Sequence, residues 1–193
     1  LCYMNYKGKP VKASRLFLGN AFDIYEKKIA KHFNKPADYF KSLPFEKDLA
    51  QNLIDKGNTN GAFFSLKIAG TGPYPKELER DIDFSQFKNY EDAYYQLNYD
   101  LAKIQASSIL LAVGDCEIEQ VCMSGGFCQN EHFINFLAAH LPRIGLYTSS
   151  LSRATALGAA LVIHDYWNKK NVPKDLFELK LHTPLLNLHL GAN

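Results

Sequence analysis

The sequence lacks most features that would tie it to a special environment. Its 193 residues hold one tryptophan and two methionines, and the formal net charge is only +2. A balance so close to neutral leaves no electrostatic footprint for nucleic acid. The densest basic stretch, Lys7, Lys9, Lys12 and Arg15, reads as the solvated face of an opening hairpin. No run reaches the roughly 18 apolar residues of a bilayer span. The opening LCYMNYKGKP lacks the charged-then-apolar order of a secretory signal. The four cysteines, Cys2, Cys116, Cys122 and Cys128, include no CxxC pair, which argues against zinc and thioredoxin-type chemistry. The histidines other than His132 show no HxxxH-type ligand spacing and read as surface or satisfied core positions. A reduced, cytoplasmic protein is the expectation. The first residue, Leu1, falls in mid-pattern, as expected of a fragment, a processed form or a chain with further sequence upstream.

What is present suits an ordinary globular core, with 47% hydrophobic and 22% charged residues. The first nineteen residues read as a hairpin, LCYMNY and SRLFLG around a KGKP turn. Asn20 or Asp23 could cap a helix running to His32, with Phe22, Tyr25, Ile29 and Phe33 at helical spacing. Short helices are expected over Asn34–Leu43 and Phe45–Asp55. Gly61–Gly70 is ambiguous between strand and helix, and the Pro-rich stretch after it reads as loop. Tyr90–Val113 is the clearest helix, with Tyr94, Leu97, Leu101, Ile104, Ser108 and Leu111 forming one buried stripe and Gly114 ending it.

After that helix the pattern alternates. EQVCMSGG reads as a strand covered on both faces, Asn130–Leu141 as a helix, IGLYTSS as a second strand and Ala154–Asn168 as a closing helix. The tail after Lys169 shows little periodicity. The βαβα order predicts an α/β fold, a mixed sheet covered by helices.

The turn at Gly125-Gly126 concentrates the functional signal. It lies at the C-terminal end of a strand, where open α/β sheets bind ligands. Glycine permits positive φ and removes the Cβ that would hold a ligand off the backbone. The helix start that follows offers free N–H groups and a positive dipole end. The turn is neither a P-loop nor a GxGxxG fingerprint, and a bare GG serves tight turns as well.

The spacing beyond it carries a resemblance. Gly125-Gly126, three intervening residues and Asn130, followed about thirty residues on by ATALGAAL (Ala154–Leu161), resembles the C-terminal domain of the FGGY carbohydrate kinases. These belong to the actin-like ATPase, or ribonuclease H-like, superfamily. NGAFFSLKIAG looks like that family's glycine-started helix on the other side of the adenine. The resemblance implies a domain over 1–170, with the hairpin at 1–19, a helical insert at 20–60, a core at 61–170, and a tail at 171–193. It implies ATP and Mg as cofactors. Gly125 and Gly126 would line the adenosine and α-phosphate, Asn130 the adenine or ribose, and Gly61 the opposite wall. Ala156, Gly158 and Ala159 would let the last helix lie close to the sheet.

The implied partners are ATP or ADP, a sugar bound mainly by an N-terminal domain outside these residues, and a second copy of the chain. Nucleic acid and membrane are not among them. No catalytic residue is expected in this chain, because the family's base and its phosphate loops lie elsewhere. Asp81, Asp83 and Asp115 qualify by residue type alone, and GTG at 70–72 reads as loop. A strand missing between the hairpin and the Val121 strand should leave both edges open. The rival readings are a cysteine hydrolase built on Cys128 and His132, a non-catalytic nucleotide-binding or oligomerising module of the same superfamily, and another actin-like enzyme such as an acetate kinase.

Overall fold

A computed structural model describes residues 2–4, 7–12, 16, 18–56, 61–64, 82–151, 154–173 and 175–188. The chain is α/β, with a helical half followed by a small mixed sheet. It opens with a hairpin, β1 (Cys2–Met4) against β2 (Pro10–Lys12), in the antiparallel register Tyr3↔Val11. Gly8, at φ +71°, makes the turn. Among the described residues the partner of β1 is PVK, and Leu18, expected in the second strand SRLFLG, already begins a helix; Ser14, Arg15 and Phe17 lie outside the described residues.

That helix, α1 (Leu18–His32), buries Leu18, Phe22, Tyr25 and Ile29 along one face. Asn34 at φ +53° stops it. The helix expected over Asn34–Leu43 shrinks to a 3₁₀ turn at Tyr39–Ser42, because Pro36 and Pro44 leave too few residues with free N–H groups for a longer one. Then comes α2 (Lys47–Asp55).

The centre of the fold is α3 (Tyr90–Val113). Asn89 caps its start, accepting the Asp92 N–H at 2.9 Å, and Gly114 closes it at φ +58°. It packs against α1, α2 and α4 (Glu131–His140). The single buried stripe expected here is overturned in two ways. Between Tyr90 and Ala102 nearly every side chain is buried, since helices flank α3 on several sides, whereas Leu111 lies beyond them and is exposed. Phe63, Phe133, Phe136, Leu97 and Leu137 complete this core, each worth about 2 kcal/mol in buried apolar area.

The sheet follows the order β3 (Gln120–Met123), β4 (Gly145–Ser149), β5 (Leu179–His182). Strands β3 and β4 are parallel, Val121↔Leu146, joined through α4 as the alternation predicts. The third strand comes from the tail read as aperiodic, and it pairs antiparallel with β4, Tyr147↔Leu181. Farther on, the tail is tied to α2: Gln51 donates to the Asn187 carbonyl and accepts from the Asn187 N–H, both at 2.9 Å.

β3 is not covered on both faces. Val121 and Met123 pack toward the core, while Gln120 and Cys122 are exposed, because helices cover one face only. The hairpin and β3 lie in separate sheets, and among the described residues the outer edge of β3 has no partner. The closing helix splits at Ile163 into α5 (Ala154–Val162) and α6 (His164–Trp167). The close packing expected of Ala156, Gly158 and Ala159 is absent: both alanines are exposed, and a Cβ on Gly158 would meet nothing within 4 Å. Small residues permit close approach, but no layer among the described residues lies against them.

Candidate functional site

The double glycine opens a cleft. Gly125 adopts φ +100°, ψ −170°, a conformation essentially confined to glycine. Gly126 then starts a 3₁₀ turn, Gly126–Gln129, closed by Cys128 N–H to Gly125 C=O at 3.1 Å. A Cβ on Gly126 would meet nothing within 4 Å, so open space lies beside it. The two glycines do different jobs: the first satisfies the backbone, the second keeps a wall clear.

That space is a cleft of about 780 Å³ between the GG turn, the start of α1 and the 3₁₀ turn at Tyr39–Ser42. Gly19, Phe22, Phe40, Tyr94, Gly126 and Asn130 line it. Its floor is aromatic, because Phe22 on α1 stands edge-on to Phe40 and Phe127 with centroids 5.6 Å apart in each pair. Asp23, Lys41 and Glu131 add charge to the lining.

Asn130 is the N-cap of α4, its Oδ1 accepting the Phe133 N–H at 3.1 Å. Its Nδ2 donates to Asn98 Oδ1 at 2.8 Å, and Asn98 Nδ2 donates in turn to the Tyr94 carbonyl at 2.8 Å. The Tyr94 hydroxyl lies beside both amides, and burial pushes it up to about 12.

Gly61 is not in the cleft lining. It takes φ +69° at the start of a short segment held by α3, where Asp100 Oδ2 accepts the N–H groups of Ala62 at 2.7 Å and Phe63 at 2.8 Å. Gln96 donates to Asp100 Oδ1 at 2.7 Å. Burial nevertheless raises this carboxyl to about 6, the backbone donors opposing the shift. Residues 65–70 of the expected glycine-started helix, the GTG at 70–72, Asp81 and Arg15 fall outside the described residues. Asp83 is an exposed cap accepting the Ser85 N–H at 2.9 Å, and Asp115 is exposed beyond Gly114.

Cys128 and His132 line different clefts. His132 borders the aromatic one; Cys128 borders a second of about 580 Å³ with Thr148, Ser149 and His182. Burial raises the Cys128 thiol, the wrong direction for a nucleophile. His132 packs edge-on to Tyr95, Tyr94 and Phe45 at 4.8, 5.1 and 5.6 Å. Burial pushes it down to about 4, and His140 likewise. His140 is not the satisfied core histidine expected: its Nε2 atom, like that of His132, is buried without a hydrogen-bond partner.

Four lining or supporting residues, Phe22, Phe40, Tyr94 and Asn98, carry no site signal in the sequence. Aromatic residues at helical spacing read as core, and nothing local links Asn98 to Asn130. Among the described residues no three His, Cys, Asp or Glu side chains assemble to hold a metal ion, and no helix is long and apolar enough to cross a membrane. Comparison with protein-family models, curated proteins and solved structures returns no match.

Proposed function

We propose that this chain is the nucleotide-binding half of a cytoplasmic, ATP-dependent carbohydrate kinase of the FGGY type, with an actin-like, ribonuclease H-like fold. One observation carries the reading: the GG turn and Asn130 meet on the wall of an open cleft at the C-terminal end of the parallel pair β3–β4, facing aromatic side chains. Such a cleft suits a nucleotide. Phe40 and Phe22 offer an apolar surface to the base, and the open side of Gly126 lets a sugar or α-phosphate approach the backbone. The start of α4 directs N–H groups at negative charge. Phosphoryl transfer is mostly positioning and charge stabilisation. These residues position the nucleotide, while Mg and the acceptor hydroxyl are held mainly by groups outside this chain.

The test is calorimetric titration with ATP and ADP against the intact chain and Gly126→Val. The new side chain meets open space, so the fold is retained, and it fills the wall the nucleotide needs. Affinity should fall at least about 10-fold, roughly 1.4 kcal/mol. Equal affinity in both proteins sinks the assignment. A second reading, a non-catalytic module that assembles, draws on the exposed Ile163, Tyr166 and Trp167. Nucleotide binding combined with concentration-dependent association through those residues, and no kinase activity in the whole protein, would favour it.

A further inference from the structure

We infer that Asn98, buried in α3 and 32 residues from the cleft wall in sequence, is a positioning residue that fixes which edge of Asn130 a ligand meets, and thereby selects a 6-aminopurine base. The inference rests on the nucleotide reading above and adds to it a residue and a specificity.

An amide side chain presents oxygen at one end and N–H₂ at the other, and the two ends are exchanged by a half-turn of the group. At Asn130 that half-turn is blocked twice. The Phe133 N–H holds the oxygen at 3.1 Å, and the Asn98 oxygen holds the nitrogen at 2.8 Å. Asn98 is itself fixed, because its own nitrogen is committed to the Tyr94 carbonyl at 2.8 Å, leaving its oxygen toward Asn130. Asn98 is fully buried, so water does not compete for these bonds.

The arrangement leaves Asn130 a defined remainder. Its oxygen accepts the Phe133 N–H with one lone pair and keeps the other. An acceptor at this wall pairs with an exocyclic amine, as on adenine, and opposes a carbonyl at the same position, as on hypoxanthine. A site built to hydrogen-bond one group rejects the analogue lacking it, because its own polar atom is left unpaired. Without Asn98 the cap to Phe133 still resists the half-turn, while the Tyr94 hydroxyl beside it, able to donate or accept, favours neither orientation; the turned amide then donates to the oxo base.

The experiment compares ATP with ITP, which differ at that position, by calorimetry on the intact chain, Asn98→Ala and Asn98→Asp. The intact chain should prefer ATP by about 10-fold or more, and Asn98→Ala should narrow the preference to within about 2-fold. Asn98→Asp, fully buried and therefore kept neutral, donates its O–H to the Tyr94 carbonyl, keeps an oxygen opposite the Asn130 nitrogen and should retain the preference. Circular dichroism confirms that each variant is folded. Independently of any nucleotide, one Asn130 side-chain N–H should exchange slowly with solvent in the intact chain and fast in Asn98→Ala. An unchanged ATP:ITP ratio in folded Asn98→Ala overturns the inference alone. Loss of preference in Asn98→Asp as complete as in Asn98→Ala also overturns it, because packing rather than the hydrogen bond would then be responsible. No binding of either nucleotide by the intact chain overturns both readings.

Discussion

The first half of α3 and the α5–α6 pair make an instructive contrast. Tyr90–Ala102 contains Gln96, Asn98 and Asp100, yet it is buried on almost every side. ATALGAALV carries no charged residue, yet none of the side chains described in it, Ala156–Val162, is fully buried, and Ile163, Tyr166 and Trp167 just beyond it are 52%, 88% and 63% exposed. Hydropathy alone would assign the two the other way round. A helix apolar all round is normally a buried one, but burial needs a covering layer. Three helices supply it for α3. Among the described residues nothing supplies it for α5. The polar groups of α3 tolerate burial because each finds partners, such as the amide pair Asn98–Asn130 and the carboxylate Asp100 with its backbone donors.

The largest expected effect breaks the contrast outright. Phe136→Ala, at a fully buried position on α4 facing α3, should cost about 4 kcal/mol in urea unfolding, whereas Trp167→Ala should change stability by less than about 0.5 kcal/mol. A large loss at Trp167 would mean that α6 is covered after all. Next, Asp100→Ala should cost about 3 kcal/mol, because it strands the Ala62 and Phe63 N–H groups in the core.

The third prediction is a pH dependence centred on the helical half, to which His182 on β5, lowered by burial, adds in the same direction as the histidines below. His132 and His140 sit at about 4 in the fold against an ordinary 6.5. Their depressed values give stability present above 6.5 that is lost as pH falls toward 4. Asp100, raised to about 6 from 3.8, acts oppositely, favouring the fold as pH falls through 6, and Glu26 is raised as well. The histidines outweigh Asp100, for a net loss of about 2 kcal/mol between pH 6.5 and 4.5, read from urea midpoints. His140→Phe should flatten that slope and Asp100→Asn should steepen it; an unchanged slope in both would break the assignment. The smallest effect sharpens the view of the turn. Gly125→Ala should cost about 1–2 kcal/mol from backbone strain at φ +100°, while Gly126→Ala should leave stability unaltered, both by thermal unfolding.

Much of the fold was legible in sequence. The helix at Tyr90–Val113, its stop at Gly114, and the alternation of β3, α4 and β4 follow from periodicity and punctuation, which are local. The strand β5 was not legible, since LKLH gains its role by lying beside β4. The GG turn was legible as a candidate, and Asn130 with it. The opposite side of the cleft was not: Gly61, which the resemblance put there, is not in the lining and precedes the Ala62–Phe63 segment held by Asp100, whereas Phe22 and Phe40 line the cleft. Those aromatics look identical to core residues until the chain folds around an opening. Asn98 likewise becomes part of the site only because α3 and α4 pack side by side.

The sequence by itself determined the long helix α3 with its stop at Gly114, the β3–α4–β4 alternation and the glycine at Gly125, because backbone geometry answers to residue type over a few neighbours. Only the tertiary structure decided which apolar helix is core, which amide faces Asn130, and which side chains stand across from Gly126. Each of those depends on what another element brings within contact distance, and that is written in no single stretch of the chain.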